Sequence, residues 1–326
     1  MDSMIADELP RPDADLDWDA PCSVFGWPTF VTCAPSFPGH WPAHLGPLSI
    51  KCAFGGREWY RTDQGVQCVD DARYLVLNEG QEYESWIDEG DEITSFCLFF
   101  NGNFARDVLH ASCNDDDHLL DEPAAPSLQL PQFFDQVQRH ESILSPWLLD
   151  LYGQVGMRSA PVGAIEERMH LVLEKLLQAH RGLLRRVQSL PSIRRNTRVE
   201  IYRRLHLART YLEDHYAADL TLPRIASAAC LSPHHFLRLF KASYDCTPHQ
   251  YLIGFRLQRA CDLLRSTDET VSNICFDVGF ASVSSFCNLF KRRMGVSPEQ
   301  YRLNAAGRRK LVGVSLSART RGATVN

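Results

Sequence analysis

The stretch LSPHHFLRLFKASY, residues 231–244, decides how the last third of this chain folds, because a version of it returns as ASVSSFCNLFKRRM, residues 281–294. Phe236, Leu239, Phe240 and Lys241 recur fifty residues on as Phe286, Leu289, Phe290 and Lys291, and Pro248, Gln250 and Tyr251 recur as Pro298, Gln300 and Tyr301. Matches at one offset over seven positions mark a duplicated supersecondary unit. Each copy reads as a short helix (Leu222 to Ala229; Val271 to Asp277), a tight turn, a second helix (Pro233 to Tyr244; Ser282 to Met294) and a third helix starting at Thr247-Pro248 or Ser297-Pro298. Ser232, Thr247, Ser282 and Ser297 are expected N-caps, whose side-chain oxygens can accept from the first helical turn. Proline follows all but Ser282, and it loses nothing at the first helical position. Gly279, between two short helices, is expected to adopt left-handed backbone or to sit against another segment.

Helical phase separates two faces in each second helix. Phe236, Leu239, Phe240 and Ser243 fall on one side and hold the helix to its neighbours, which leaves His234, Leu237, Arg238 and Lys241 on the other. Ser284, Cys287, Asn288 and Lys291 form the matching stripe of the second copy. A three-helix unit of this size is a known way of presenting a helix to the DNA major groove. Arg238 can donate two hydrogen bonds to guanine O6 and N7, and Asn288 can pair with adenine. Leu237 either meets a thymine methyl or is a spare apolar surface residue. His234 and Ser284 can reach bases or phosphates, whereas Lys241, Lys291 and Arg292 suit the phosphate backbone. Two such helices enter successive groove segments only when held about 34 Å apart. A strut from Pro248 to Arg265, about 27 Å long at about 1.5 Å per residue, suits that task.

Charge is partitioned along the chain. Residues 1–130 carry 24 acidic and 6 basic side chains, whereas residues 201–326 carry 18 basic and 9 acidic ones, within an overall net charge of -6. A basic back part suits a polyanion, because Lys and Arg beside phosphates release condensed counterions. No apolar run is long enough for a membrane span, and the acidic first residues do not read as a secretory signal, so a cytoplasmic location is expected. The 11 cysteines form no CxxC pair, which argues against a disulfide framework or a cysteine-based zinc site.

The front half reads differently. Short apolar runs such as Leu48 to Phe54, Arg73 to Leu77 and Ile93 to Phe100, broken by turns at Asn78-Glu79-Gly80 and Asp88 to Asp91, predict a β-barrel or sandwich. From Val162 to Gln188, Ile165, Met169, Leu171, Val172, Leu176 and Leu183 recur at helical spacing, so this stripe either packs on its own sandwich or pairs with a second subunit. The fold class is therefore α+β. The reading places a disordered lead at 1–20, a β domain at 21–130, a helical linker with dimerisation helices at 131–190, a tandem helix-turn-helix domain at 191–302 and a basic tail at 303–326. Neither a Gly-rich phosphate loop nor an HExxH or GxSxG motif occurs, so no enzyme is expected.

A family resemblance rests on Ile225-Ala226, Leu231-Ser232-Pro233, Phe236, Leu239-Phe240-Lys241, Thr247-Pro248, Tyr251, Arg256-Leu257, Ala260, Leu263-Leu264, Ile274, Val278-Gly279-Phe280, Phe286, Phe290-Lys291, Gly295-Val296-Ser297-Pro298 and Tyr301-Arg302. Over about residues 198–302 the chain resembles the DNA-binding domain of the AraC/XylS regulators. The resemblance implies that the helices Pro233 to Tyr244 and Ser282 to Met294 read double-stranded DNA, with base contacts from His234, Leu237, Arg238, Ser284, Cys287 and Asn288. Tyr74 to Gln81 and Ser95 to Phe100 resemble, more loosely, strands of the family's cupin-like sensing domain. That implies a small-molecule effector, with Trp41, Trp59, Tyr60 and Trp86 either lining its pocket or filling the core. The metal-holding His-x-His pattern of cupins is absent, so no metal or other cofactor is expected. The family role implies a homodimeric transcription activator that engages RNA polymerase and associates with the bacterial nucleoid. Two alternatives stand beside it: a ligand-independent or architectural DNA-binding protein, and a metal-dependent cupin enzyme fused to a DNA-binding domain.

Overall fold

Every side chain from Leu48 to Ala53 is buried, so this strand lies in a sheet covered on both faces rather than one that alternates between core and water. The structure, a computed structural model, describes residues 5–6, 28–112, 130–140, 143–157, 161–188 and 195–304. It divides into two units, Met1–Leu184 and Arg185–Asn326. The readings made for 1–20 and for 305–326 of the tail fall, apart from residues 5–6, outside the described residues, as do 21–27 and 113–129 of the β domain and 189–194 where the linker meets the tandem helix-turn-helix domain.

The first unit contains β1 (Ile5–Ala6), β2 (Phe30–Ser36), β3 (Gly39–Gly46), β4 (Leu48–Phe54), β5 (Glu58–Thr62), β6 (Gly65–Val69), β7 (Arg73–Leu77), β8 (Gln81–Ile87), β9 (Ile93–Phe100) and β10 (Gln138–Arg139). One sheet has the order β1-β2-β9-β4-β7-β10 and the other β3-β8-β5-β6. All pairs are antiparallel except β1 with β2. No ladder joins the two sheets among the described residues, so of the two forms expected the sandwich is the one found. Gly80 (φ 73°) and Gly90 (φ 91°) make the left-handed turns that end β7 and β8.

Three helices cover the outer face of the six-stranded sheet: α1 (Gly102–Ala111), α2 (Ser145–Gly156) and α3 (Val162–Gln188). Ile50, Cys52, Val76, Phe96 and Leu98 from the strands pack there with Val108, Leu148 and Leu151. Ile165, Met169, Val172 and Leu176 of α3 join the same core, so its stripe is consumed within its own unit, with Leu171 and Leu183 half-buried. The opposite face packs Ala53, Leu75 and Leu77 against Tyr60, Tyr83 and Ile87 of the smaller sheet. Residues 130–140 are tied to the strands by side-chain bonds. Asn78 Nδ2 donates to the Phe133 carbonyl at 3.0 Å and Asn78 Oδ1 accepts from the Phe133 amide at 2.8 Å. Gln67 likewise donates to the Asp135 carbonyl and accepts from the Val137 amide.

The second unit is helical: α4 (Arg195–Asp214), α5 (Leu222–Ala228), α6 (Pro233–Tyr244), α7 (Pro248–Ser266), α8 (Val271–Asp277), α9 (Val283–Met294) and a last helix, α10, over 298–304. Leu257, Ala260, Leu264, Ile274, Phe286 and Phe290 form the core of its second half. Tyr202, Leu205, Leu212, Ile225, Phe236 and Phe240 are buried in the first half.

Candidate nucleic-acid interface

The repeat visible in the sequence is a repeat of geometry. Phe236 and Phe240 meet at 5.3 Å and 58°, and Phe286 and Phe290 at 5.6 Å and 60°. Tyr251 stands edge-on to Phe240 at 5.8 Å and 81°, and Tyr301 edge-on to Phe290 at 5.6 Å and 82°. These aromatic pairs fix α6 and α9 against the helices that follow them, which sets which way each outer face looks. Both preceding turns close alike: the Leu231 amide donates to the Ala226 carbonyl and the Phe280 amide to the Cys275 carbonyl, each at 3.0 Å.

The residue between helices is left-handed in both turns, Cys230 at φ 50° and Gly279 at φ 90°. Gly279 meets both expectations placed on it. A Cβ there would come within 2.7 Å of the Ala217 carbonyl oxygen. The helices α6 and α9 end in left-handed residues too, Asp245 at φ 56° and Gly295 at φ 80°. The second unit of the repeat thus uses glycine at both positions, and the first at neither.

Caps differ between the copies. Thr247 makes a full capping box with Gln250, Ser297 Oγ accepts from the Gln300 amide at 3.3 Å, and Ser282 Oγ accepts from the Ser285 amide at 3.4 Å. Ser232 departs from the expectation: it occupies the N-cap with extended backbone, but its side chain makes no cap bond. Extended backbone followed by Pro233 suffices to start that helix.

Beneath α6 lies a charged pair. Arg209 Nε is 3.5 Å from Glu213 Oε1, both buried, and the Tyr251 hydroxyl donates to Glu213. Burial works against the Arg209 charge, but Tyr244, Tyr251 and Glu213 more than offset it, so the guanidinium holds its proton more firmly than in water. On α7, Arg256 donates to the carbonyls of Tyr216 (2.7 Å) and Ala218 (2.9 Å), which fixes the loop that Gly279 touches.

On the outward face of α6, His234, Arg238 and Lys241 are exposed and Leu237 is half-buried. On α9, Ser284, Asn288, Lys291 and Arg292 are exposed, while Cys287 is partly buried against the second core. Phe236, Leu239, Phe240 and Ser243 are all buried. Sequence reading passed over Arg293, an exposed cation in the last turn of α9; the run Lys291-Arg292-Arg293 was its signal.

The four aromatic residues read either as a pocket lining or as core filling do not come together as one group. Adjacent strand residues point to opposite faces, so Tyr60 is buried between the sheets while Trp59 stacks on Trp86 at 6.3 Å and 11° on the outer face. There Trp59 Nε1 donates to Asp88 and Arg61 covers Trp86. Trp41 is half-buried against the inner core. The polar inner residues are ones sequence reading missed: Lys51, Glu58, Ser49, Ser85 and Ser95, all buried. Burial pulls the Lys51 ammonium down, but Tyr83, Cys97 and Glu58 outweigh it and Lys51 stays protonated. Burial raises Glu58 and pushes Cys97 up to about 11.

Residues 225–304 match the family profile described as "Helix-turn-helix domain". The "HTH-type transcriptional activator RhaS" of Escherichia fergusonii is 36% identical over 120 residues, 36% of this chain and 43% of that protein. The "MmsAB operon regulatory protein" of Pseudomonas aeruginosa is 37% identical over 92 residues, 28% of this chain and 30% of that protein. The chain therefore spans less than half the length of these curated relatives. Among solved structures, a "transcriptional regulator (AraC-type DNA-binding domain-containing proteins)" from Chromobacterium violaceum is 27% identical, covering 32% of this chain and 94% of that one at a TM-score of 0.31.

Proposed function

We propose that this chain, which carries an AraC-type helix-turn-helix domain in its carboxyl-terminal third, is a sequence-specific transcription regulator of the activating kind. The observation that carries the reading is the duplicated geometry of α6 and α9, each locked by the same Phe-Phe-Tyr contacts and each offering a polar stripe to solvent. In this reading His234, Leu237 and Arg238 meet bases in one major-groove segment and Ser284, Cys287 and Asn288 in the next. Lys241, Lys291 and Arg292 hold phosphates. The half-buried Leu237 and Cys287 offer an apolar contact each, suited to thymine methyl groups. A relative named as a transcriptional activator supports the sign of regulation, and a partner RNA polymerase follows from it. The first unit is read as the regulatory part, holding a small-molecule effector and joining two copies into a dimer, with the protein working in the cytoplasm where its DNA lies.

Selection of bound sequences from a random DNA pool by the full-length chain, followed by footprinting of the winning site, tests this. The expected outcome is two protected major-groove faces about ten base pairs apart per subunit, and a preference of about 10³ or more over random DNA at fixed salt. One short protected patch per subunit, or equal affinity for all sequences, overturns it.

A further inference from the structure

The space between the two sheets of the first unit holds a buried cation that gives the described residues one hydrogen bond. Lys51, on the inner face of β4, is 3% exposed. An ammonium has three protons to donate. Nζ gives one to the Tyr83 hydroxyl at 3.1 Å and sits over the Phe99 ring, 4.0 Å from its centroid. Ring faces attract a cation but do not replace a hydrogen-bond acceptor. Glu58, facing the same space from β5, is engaged by hydroxyls instead: Ser95 Oγ donates to it at 2.9 Å, and Tyr60 and Ser85 bond to it as well. No carboxylate lies within ion-pair distance of Lys51 among the described residues. A second observation points the same way. Ser49 lies on the same face of β4, two residues before Lys51, and its wholly buried hydroxyl has no hydrogen-bond partner.

We propose that the inter-sheet space binds the carboxylate of a small organic acid, with the Lys51 ammonium and the Ser49 hydroxyl donating to it. Buried polar groups are almost always satisfied, and a carboxylate has enough lone pairs to take both unused ammonium protons and the serine hydroxyl. Burial shifts Glu58 toward its neutral form, which leaves one cation to match a single negative charge; a phosphate dianion would keep an uncompensated charge in a buried site. The Tyr83 hydroxyl, which accepts from Lys51 and keeps its own proton, can orient a further polar group of the same molecule. This names the chemical class of the effector in the reading above and rests on that reading for its regulatory meaning, though not for binding itself.

The test uses the full-length chain with acetate, benzoate and gluconate, each against its neutral amide, followed by calorimetry and by thermal melting. At least one acid should bind and raise the first transition while its amide does not, with affinity falling tenfold or more in Lys51→Met and several-fold in Ser49→Ala. Without ligand, Lys51→Met should still show the parent chain's melting transitions, so that lost binding reports on the site and not on folding. Binding unchanged by both substitutions, or no selective binding by any of the three acids, overturns the proposal. Ser49→Ala, a small change, reports on the site independently. DNA affinity separates the two readings. An acid that binds through Lys51 without changing DNA affinity supports the site and removes the effector role. DNA affinity that responds equally to a neutral compound in the parent and Lys51→Met chains removes the site and keeps the effector role.

Discussion

Arg238 and Lys291, which occupy different positions in the two copies of the repeat, are expected to behave differently when removed. Arg238→Ala should cost about 1 to 3 kcal/mol on the preferred DNA site and relax preference at one base pair, read by binding to single-substitution site variants. Lys291→Ala should weaken all sequences alike and lower the salt slope by about one. Equal loss on every sequence for Arg238→Ala would move that residue to the phosphates. Backbone conformation gives a second pair. Gly279→Ala meets both a left-handed φ and the Ala217 backbone at 2.7 Å, and should lower the stability of the helical unit by about 2 kcal/mol or more. Cys230→Gly at the equivalent turn relieves a left-handed non-glycine and should raise it by about 0.5 to 1 kcal/mol, the strain relieved less the extra freedom of the unfolded chain. Denaturant melts of the two variants check both signs.

Helices and strands were legible in the sequence to unequal degrees, and the reasons are local. The starts of α7 and α9 could be read because Thr247 and Ser282 do cap them; the idle hydroxyl of Ser232 could not, since a serine before a proline looks the same whether or not it bonds. Thr247→Ala should therefore cost about 1 kcal/mol and Ser232→Ala clearly less, compared in one melting series. The buried faces of α6 and α9 were readable because the repeat fixes their phase twice over. Lys51 was not: a lysine in an apolar strand normally marks a water-facing side, and its companions Tyr83 and Glu58 come from strands that only folding brings near. The aromatic quartet is divided for a related reason, since the pleat sends neighbouring Trp59 and Tyr60 to opposite faces. On α3, His180 is packed against Phe133 at 4.9 Å, and burial holds its imidazole down at about 4. The folded chain refuses a proton that the unfolded chain accepts near 6.5, so this stability is full above about pH 6.5 and is lost as pH falls toward 4. Melting of the first unit should decline across that window, and His180→Phe should flatten that part of the decline. A His180→Phe chain with an unchanged pH profile would assign the decline to other groups.

At the scale of the whole chain, charge and architecture divide at nearly the same place. The acidic residues concentrate in the front, where the described part is a three-layer sandwich of helices and sheets, and the basic residues in the helical unit. That unit was predictable because its information is local and duplicated, whereas the sandwich depends on pairings such as β4 with β9 across some forty-five residues. No helix among the described residues is long and apolar enough to cross a membrane. Within the helical unit, one copy of the repeat bends its chain at two sites with glycine and the other forces cysteine and aspartate into the same bends. Twins built to one plan are then unequal in wear. On gentle warming, deuterium should enter the amides of Pro233–Tyr244 sooner than those of Val283–Met294, and the half of a bound operator gripped by the looser twin should be let go first.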